Sequence, residues 1–459
     1  MTPREWLRLV LVGLGASVVP LDTAVNIGFP DITRSFALPI QMIQWVVICY
    51  VLTFASLMLA FGRLGDIFGH TRVFRTGLAW SVVAFLLCAA APAYGWLLFC
   101  RFLQGIGAGL VISVAPALVT GLFPESRRAR AVAAFTMIFA LASAAGPLIG
   151  GVIVNIWGWP SVFWFRAPIA LVALLFVRNL PHSAGSETRE PLDLLGAVLL
   201  ALTISSVLLF INQASRFGPQ QWGAVPLFIL AVVSSFFFVR REARFPAPIV
   251  NLKFFHNLAF AGINAASVLV YLTSFSVLLF IPYYLVRVMG LPLPWAGAIL
   301  AAAAAGTIIA SPVAGRLIEY VPANYVAFAG AVLGGAGLIA VGGWNTGPFE
   351  PSLTLLVALI LQGFGVGLFQ VAYMDVVLGT IPRHQRGVAG SVATLTRTLG
   401  TVSGATLLTL LFHGIETSEL TGGEAAAVAF VTAFRHTFHV AGIVSILSGL
   451  AALSIAKRR

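Results

Sequence analysis

The chain has 459 residues, of which 59% are hydrophobic and only 9% charged, too few charges to cover a water-soluble fold of that size. Its net charge of +12 forms no patch or arm; the basic residues sit at the ends of apolar runs, which argues against a nucleic-acid partner. Those runs are about 18 to 28 residues long, the length an α-helix needs to cross about 30 Å of hydrocarbon, whereas membrane β-strands are about half as long and alternate in polarity.

In chain order the runs predict fourteen spans, at residues 8–30, 43–61, 74–92, 96–123, 130–156, 160–177, 193–213, 222–239, 258–285, 293–314, 324–343, 352–377, 387–412 and 434–456. The opening MTPREWLR followed by LVLVGLGASVV has the charged and apolar regions of a secretory signal. The run continues past Asp22 to Pro30, longer than a signal core, so it reads as the first span. Of the 27 Lys and Arg, 20 fall in one set of alternating loops and tails, four (Arg34, Arg216, Arg287, Arg435) on the other side and three (Arg101, Arg166, Arg397) within spans. An even span count with this bias places both termini in the cytoplasm. Cys49, Cys88 and Cys100 lie inside apolar runs, where a thiol acts as a small hydrophobe, and imply neither a disulfide framework nor a metal site.

An internal repeat is visible: LQGIGAGL at Leu103 to Leu110 recurs as LQGFGVGL at Leu361 to Leu368, 258 residues later. At the same offset Arg128 maps to Arg386 and Gly146 to Gly404, and GRL at Gly62 recurs at Gly315. The expected fold is an all-α membrane protein of two six-helix halves, 1–180 and 257–459, separated by a linker, 181–256, that carries two further spans. Such repeats are typical of secondary transporters, whose halves rock about a substrate bound between them.

Two six-helix halves with GRLGD after the second span resemble the major facilitator superfamily, and the central pair is similar to its fourteen-helix drug:proton antiporter branch. LDTAVNIGFP, Leu21 to Pro30, resembles the branch's first-helix motif, with Asp22 as its functional acid. QWVVICY leads into GRLGDIFGHTR, which resembles the superfamily's cytoplasmic gating motif; Gly62, Asp66, Gly69 and Arg72 fit it, while Ile67, His70 and Thr71 replace residues that are commonly basic. RFLQGIGAG, Arg101 to Gly109, is similar to the fourth-helix motif whose arginine takes part in proton coupling. GPLIGG matches the fifth-helix antiporter motif, through Gly146, Pro147, Gly150 and Gly151. WGWPSVFWFRAP resembles the opening of the sixth helix, except that Arg166 stands where the pattern has asparagine. The resemblance implies proton-coupled antiport of hydrophobic or amphiphilic compounds across a bacterial inner membrane, by a monomer that needs no cofactor beyond the proton gradient.

Counting about 1.5 Å per residue from the outer helix ends puts Asp22 roughly 12 Å deep, Arg101 roughly 8 Å and Arg166 roughly 9 Å. Three charges at one level, each costly in hydrocarbon, suggest a shared polar cavity in which they are partly paired. Asp22 and Arg101 are the proton-coupling candidates; the rival reading is a fixed ion pair tying helix 1 to helix 4. Asn26, Gln104, Phe163, Arg166, Tyr283 and Tyr284 are candidates for the substrate cavity. Arg166 reads either as an anion-attracting or acid-tuning group or as a snorkelling one.

Arg397 lies near mid-membrane within reach of carbonyls or Gln362, and Asp375 at the cytoplasmic interface. The glycines at 105, 107 and 109 superficially resemble a dinucleotide loop, but with no preceding strand they read as helix-packing positions. His413, His436 and His439 have no metal-ligand spacing, and no paired catalytic acids or nucleophile motif points to an enzyme. The partners expected are a small-molecule substrate, protons and membrane lipid, with a periplasmic adaptor left open. Two rivals to drug efflux stand: export of lipids, fatty acids or other organic anions, and a transport-dead membrane sensor.

Overall fold

The computed structural model describes residues 3–123, 125–177, 193–217, 225–245, 252–344, 353–380 and 387–454, all helical or in short connections. The chain divides into two compact units, residues 1–205 with 230–249 and residues 206–229 with 250–459.

The first unit opens with α1 (Pro3–Ser17), a 3-10 turn (Pro20–Thr23), α2 (Ala24–Ile27) and α3 (Phe29–Ser35). Here the expected continuous first span is interrupted, because Pro20 has no N–H to extend α1 and its fixed φ suits the start of a new turn. The interruption places Asp22 on the 3-10 turn. Then follow α4 (Gln44–Phe68), α5 (His70–Ala89), α6 (Tyr94–Gly121), α7 (Glu125–Trp157), α8 (Ser161–Trp164) and α9 (Arg166–Val177). Leu9, Val12, Phe74, Leu78, Val111, Val114, Ala170 and Ala173 form its buried core.

The second unit holds α12 (Leu258–Tyr283), α13 (Leu293–Tyr320), α14 (Ala323–Gly342), α15 (Leu353–Thr380), α16 (Gly387–Thr421) and α17 (Ala426–Ser454). Asn257 caps α12, its side chain accepting from the Ala259 N–H at 2.9 Å. Between the two sets run α10 (Leu194–Phe217) and α11 (Val225–Glu242), whose residues are shared between the units. Asp193 accepts from the Gly196 N–H at 2.8 Å at the start of α10 and from Arg241 Nε on α11 at 3.1 Å.

The helix pairings of the two units correspond. In the first, α4 and α5 pack on α6, α5 on α9, and α1 with α2 on α7; in the second, α13 and α14 pack on α15, α14 on α17, and α12 on α16. The repeated glycine motif explains its own spacing. A Cβ at Gly105 would lie 2.6 Å from Thr53 of α4, one at Gly107 2.5 Å from Ser81 of α5, and one at Gly109 2.9 Å from Phe61 of α4. In the repeat Gly363 and Gly367 meet Ala303 and Thr307 of α13, while Gly365 meets Gly334 of α14. Each motif therefore lets one helix press on two neighbours, the outer glycines on one and the middle glycine on the other, which is the packing role expected of them.

Among the described residues, eleven helical segments are long and apolar enough to cross a bilayer. The three remaining expected spans correspond to shorter or more charged helices: Ser161–Val177, split between α8 and α9; Leu195–Val207 within α10; and α11, which ends in Arg240, Arg241 and Glu242. Large apolar side chains such as Val83, Leu175, Phe228, Phe236 and Leu258 are exposed, as faces turned to lipid require.

Candidate functional site

Six elements of the first unit build a cluster around one carboxylate. Asp22 projects from the 3-10 turn, and Arg101 and Gln104 lie three residues apart on one face of α6. Arg166 opens α9, and Tyr50 and Phe85 come from α4 and α5. Arg101 grips both carboxylate oxygens, Nη1 to Oδ1 at 2.7 Å and Nη2 to Oδ2 at 2.8 Å, the two-pronged geometry that makes guanidinium–carboxylate pairs strong and directional. Oδ1 also accepts from Arg166 Nη1 at 2.7 Å and from Gln104 Nε2 at 2.9 Å. The Gln104 amide bridges the pair, since its Oε1 accepts from Arg101 Nη1 at 2.9 Å and faces the Cys88 thiol at 3.7 Å.

Both arginines are held by backbone as well. Arg101 Nε donates to the Val46 carbonyl at 2.7 Å, and Arg166 Nε to the Val162 carbonyl at 3.0 Å. Aromatic faces complete the cage: the Arg101 Cζ stands 4.3 Å over Tyr50, the Arg166 Cζ 4.5 Å over Phe85, and Phe163 lies 5.8 and 5.7 Å from the two. Such contacts gain strength where water is excluded. The arginine side chains are 1% and 0% exposed and that of Asp22 13%, so the acid is the least enclosed of the three.

The structure thus brings Asp22, Arg101, Gln104, Arg166 and Phe163 together. Asn26 is buried on α2 but does not bond to the carboxylate. Tyr283 and Tyr284 belong to the second unit, where they are fully buried; Tyr284 stacks on Phe434 at 4.5 Å and Tyr283 lies under Arg287 at 5.0 Å. Tyr50 and Phe85 are residues of the site that the sequence does not mark. Tyr50 closes QWVVICY, but nothing local marks a ring as the bed for a distant guanidinium.

The antiporter glycines pack on the turn that carries the acid. A Cβ at Gly146 would collide with Thr23 Oγ1, and one at Gly150 would lie 2.8 Å from Ile27, while Thr23 Oγ1 donates to the Ser143 carbonyl at 2.9 Å. Pro147 sits inside α7, and Gly151 is buried beside Gly150. At the gating motif, Gly69 takes φ +89° between α4 and α5, a left-handed value that glycine adopts without Cβ strain. Gly62 faces open space and Arg72 is exposed; the side chain of Asp66 lies outside the described residues.

Elsewhere, Arg397 stands 5.5 Å over the Tyr271 ring, Gln362 is buried and Asp375 is exposed; Arg383 and Arg386, the pairing candidates for Asp375, lie outside the described residues. No cluster of three or more His, Cys, Asp or Glu suited to a metal occurs among the described residues.

The repeated helix pairings, with a buried charge cluster inside the first unit, mark a multi-pass membrane transporter. The chain belongs to the major facilitator superfamily, whose family model matches residues 11–405 and again 263–459. It is 30% identical over 414 residues to the drug efflux pump JefA of Mycobacterium tuberculosis, covering 89% of this chain and 80% of that protein. With the riboflavin transporter RibZ of Clostridioides difficile it shares 26% identity over 411 residues, 89% of this chain and 88% of the relative. The fold matches the crystal structure of a bacterial homologue of the human lysosomal transporter Spinster, with a TM-score of 0.73 over 100% of this chain and 99% of that one, at 16% identity.

Proposed function

We propose that this protein is a proton-coupled antiporter that exports hydrophobic or amphiphilic compounds across the inner membrane, with Asp22 as the proton-binding group. The observation that carries the reading is a partly accessible carboxylate held by two buried guanidiniums and an amide. The likeness to JefA supports the direction. As a carboxylate, Asp22 ties the first helix to α6 and α9 through charge-assisted bonds; once protonated, it is neutral and those bonds weaken. A proton arriving from outside therefore loosens a junction of three helices. Gly146 and Gly150 of α7 press on the same turn, so the loosening passes directly to the fifth helix.

In this reading the fourteen expected spans are crossings, arranged as six, two and six. Both termini are cytoplasmic, the protein works as a monomer, and the gating motif at Gly62 to Arg72 closes the cytoplasmic side.

Reconstitution in liposomes tests the assignment. With an imposed inward proton gradient, wild-type protein expels a panel of fluorescent amphiphiles, and Asp22→Asn, equal in size and folded by size-exclusion profile, loses gradient-driven efflux. Coupled efflux unchanged in Asp22→Asn would falsify the role given to this acid.

A further inference from the structure

Two guanidiniums face one carboxylate, so the cluster carries a surplus positive charge while Asp22 is ionised, and arginine does not shed its proton in proteins. The engaged atoms lie mostly on the acid: Oδ1 accepts three hydrogen bonds and Oδ2 one. Two unengaged atoms can donate. Arg166 Nη2 is buried with no hydrogen-bond partner, and so is the Tyr50 hydroxyl, whose ring supports Arg101 and which lies within electrostatic range of Asp22 and Arg166. A buried donor without a partner is costly, and a buried unpaired charge more so. A cationic ligand would meet two guanidiniums and an acid already occupied by both. An anionic one would meet surplus charge and, once the cluster opens to it, the buried Arg166 Nη2 and Tyr50 hydroxyl as donors in want of an acceptor.

We propose that this cluster is the polar end of a binding site for organic anions, with Arg166 as the residue that selects them, so that the compounds carried are amphiphiles bearing a carboxylate or sulfonate. The inference rests on the transport reading above and names its substrate class. Arg166 stands where the resembling pattern has asparagine, and that one substitution changes the site from charge-balanced to cationic.

The test is equilibrium binding to the purified protein in lipid nanodiscs, corrected with empty discs, using two probes of opposite charge on one ring system, 2-naphthalenesulfonate and 2-naphthylmethylammonium. Wild-type protein is expected to hold the sulfonate about tenfold or more tighter, the scale of one charge-assisted hydrogen bond. Arg166→Asn should bring the two affinities together, and Arg166→Lys should keep the preference for the anion. Equal or tighter binding of the ammonium probe by the wild type, binding of neither probe, or an unchanged ratio in folded Arg166→Asn overturns the proposal. The wild-type ratio decides the matter even if Arg166→Asn does not fold. Proton-driven export of ammonium compounds would leave the transport reading standing while removing this one. A sulfonate preference without proton-driven export would do the reverse.

Discussion

Replacing Asp22 with asparagine keeps the shape of the cluster and removes its only negative charge. The four bonds at 2.7 to 2.9 Å lose their charged acceptor, and two guanidiniums that are 1% and 0% exposed are left facing each other. Removing one partner of a buried ion pair costs about 3–5 kcal/mol; the 13% exposure of Asp22 puts the expectation near the lower end, at about 3 kcal/mol. A double-mutant cycle isolates the contribution of Arg166. Arg166→Asn alone leaves the two-pronged Asp22–Arg101 pair in charge balance, so removing Asp22 from that background should cost less than removing it from the wild type. The difference is the Asp22–Arg166 coupling, which for one hydrogen bond between charged groups is about 1.5–3 kcal/mol. Thermal or denaturant unfolding of the four proteins in one detergent measures it. Single effects that add to within about 0.5 kcal/mol would refute the claim that Arg166 and Asp22 form one energetic unit.

Two further outcomes concern packing and hydrogen bonding away from the acid. Gly363→Ala should sharply lower the melting temperature, because its Cβ would collide with the Ala303 carbonyl, whereas Gly414→Ala, which meets nothing within 4 Å, should be neutral or stabilise by up to about 1 kcal/mol through helix propensity. Equal effects at the two positions would contradict the packing account. Tyr373→Phe removes the hydroxyl that donates to Asn264 Oδ1 at 2.8 Å and faces Thr396 Oγ1 at 3.3 Å, in a buried network joining α12, α15 and α16. Leaving that amide oxygen buried without a donor should cost about 1–3 kcal/mol, read as a shift in the denaturation midpoint; no shift would mean that the network contributes nothing.

Much of this protein was legible in its residues alone. Run length and hydrophobicity are local properties, so the membrane class and most span positions follow from them, and a repeat copied at a fixed offset needs no fold to be seen. The same motif shows where reading stopped: the glycines at 105, 107 and 109 announce close packing, but that the outer two face α4 and the middle one α5 emerges only when three helices are placed together. Similar depths for Asp22, Arg101 and Arg166 suggested a shared site, and the structure brings all three into contact. It also decided what depth could not: that Asp22 takes both arginines at once, that Gln104 bonds to acid and cation alike, that Tyr50 and Phe85 are the rings beneath the guanidiniums, and that Tyr284 stacks on Phe434 within the second unit. The partners of Asp22 stand 79 and 144 residues away along the chain. Which of them meet depends on how helices cross and on where Pro20 interrupts the first one, and crossing geometry is set by the packing of whole faces, not by any single stretch of sequence.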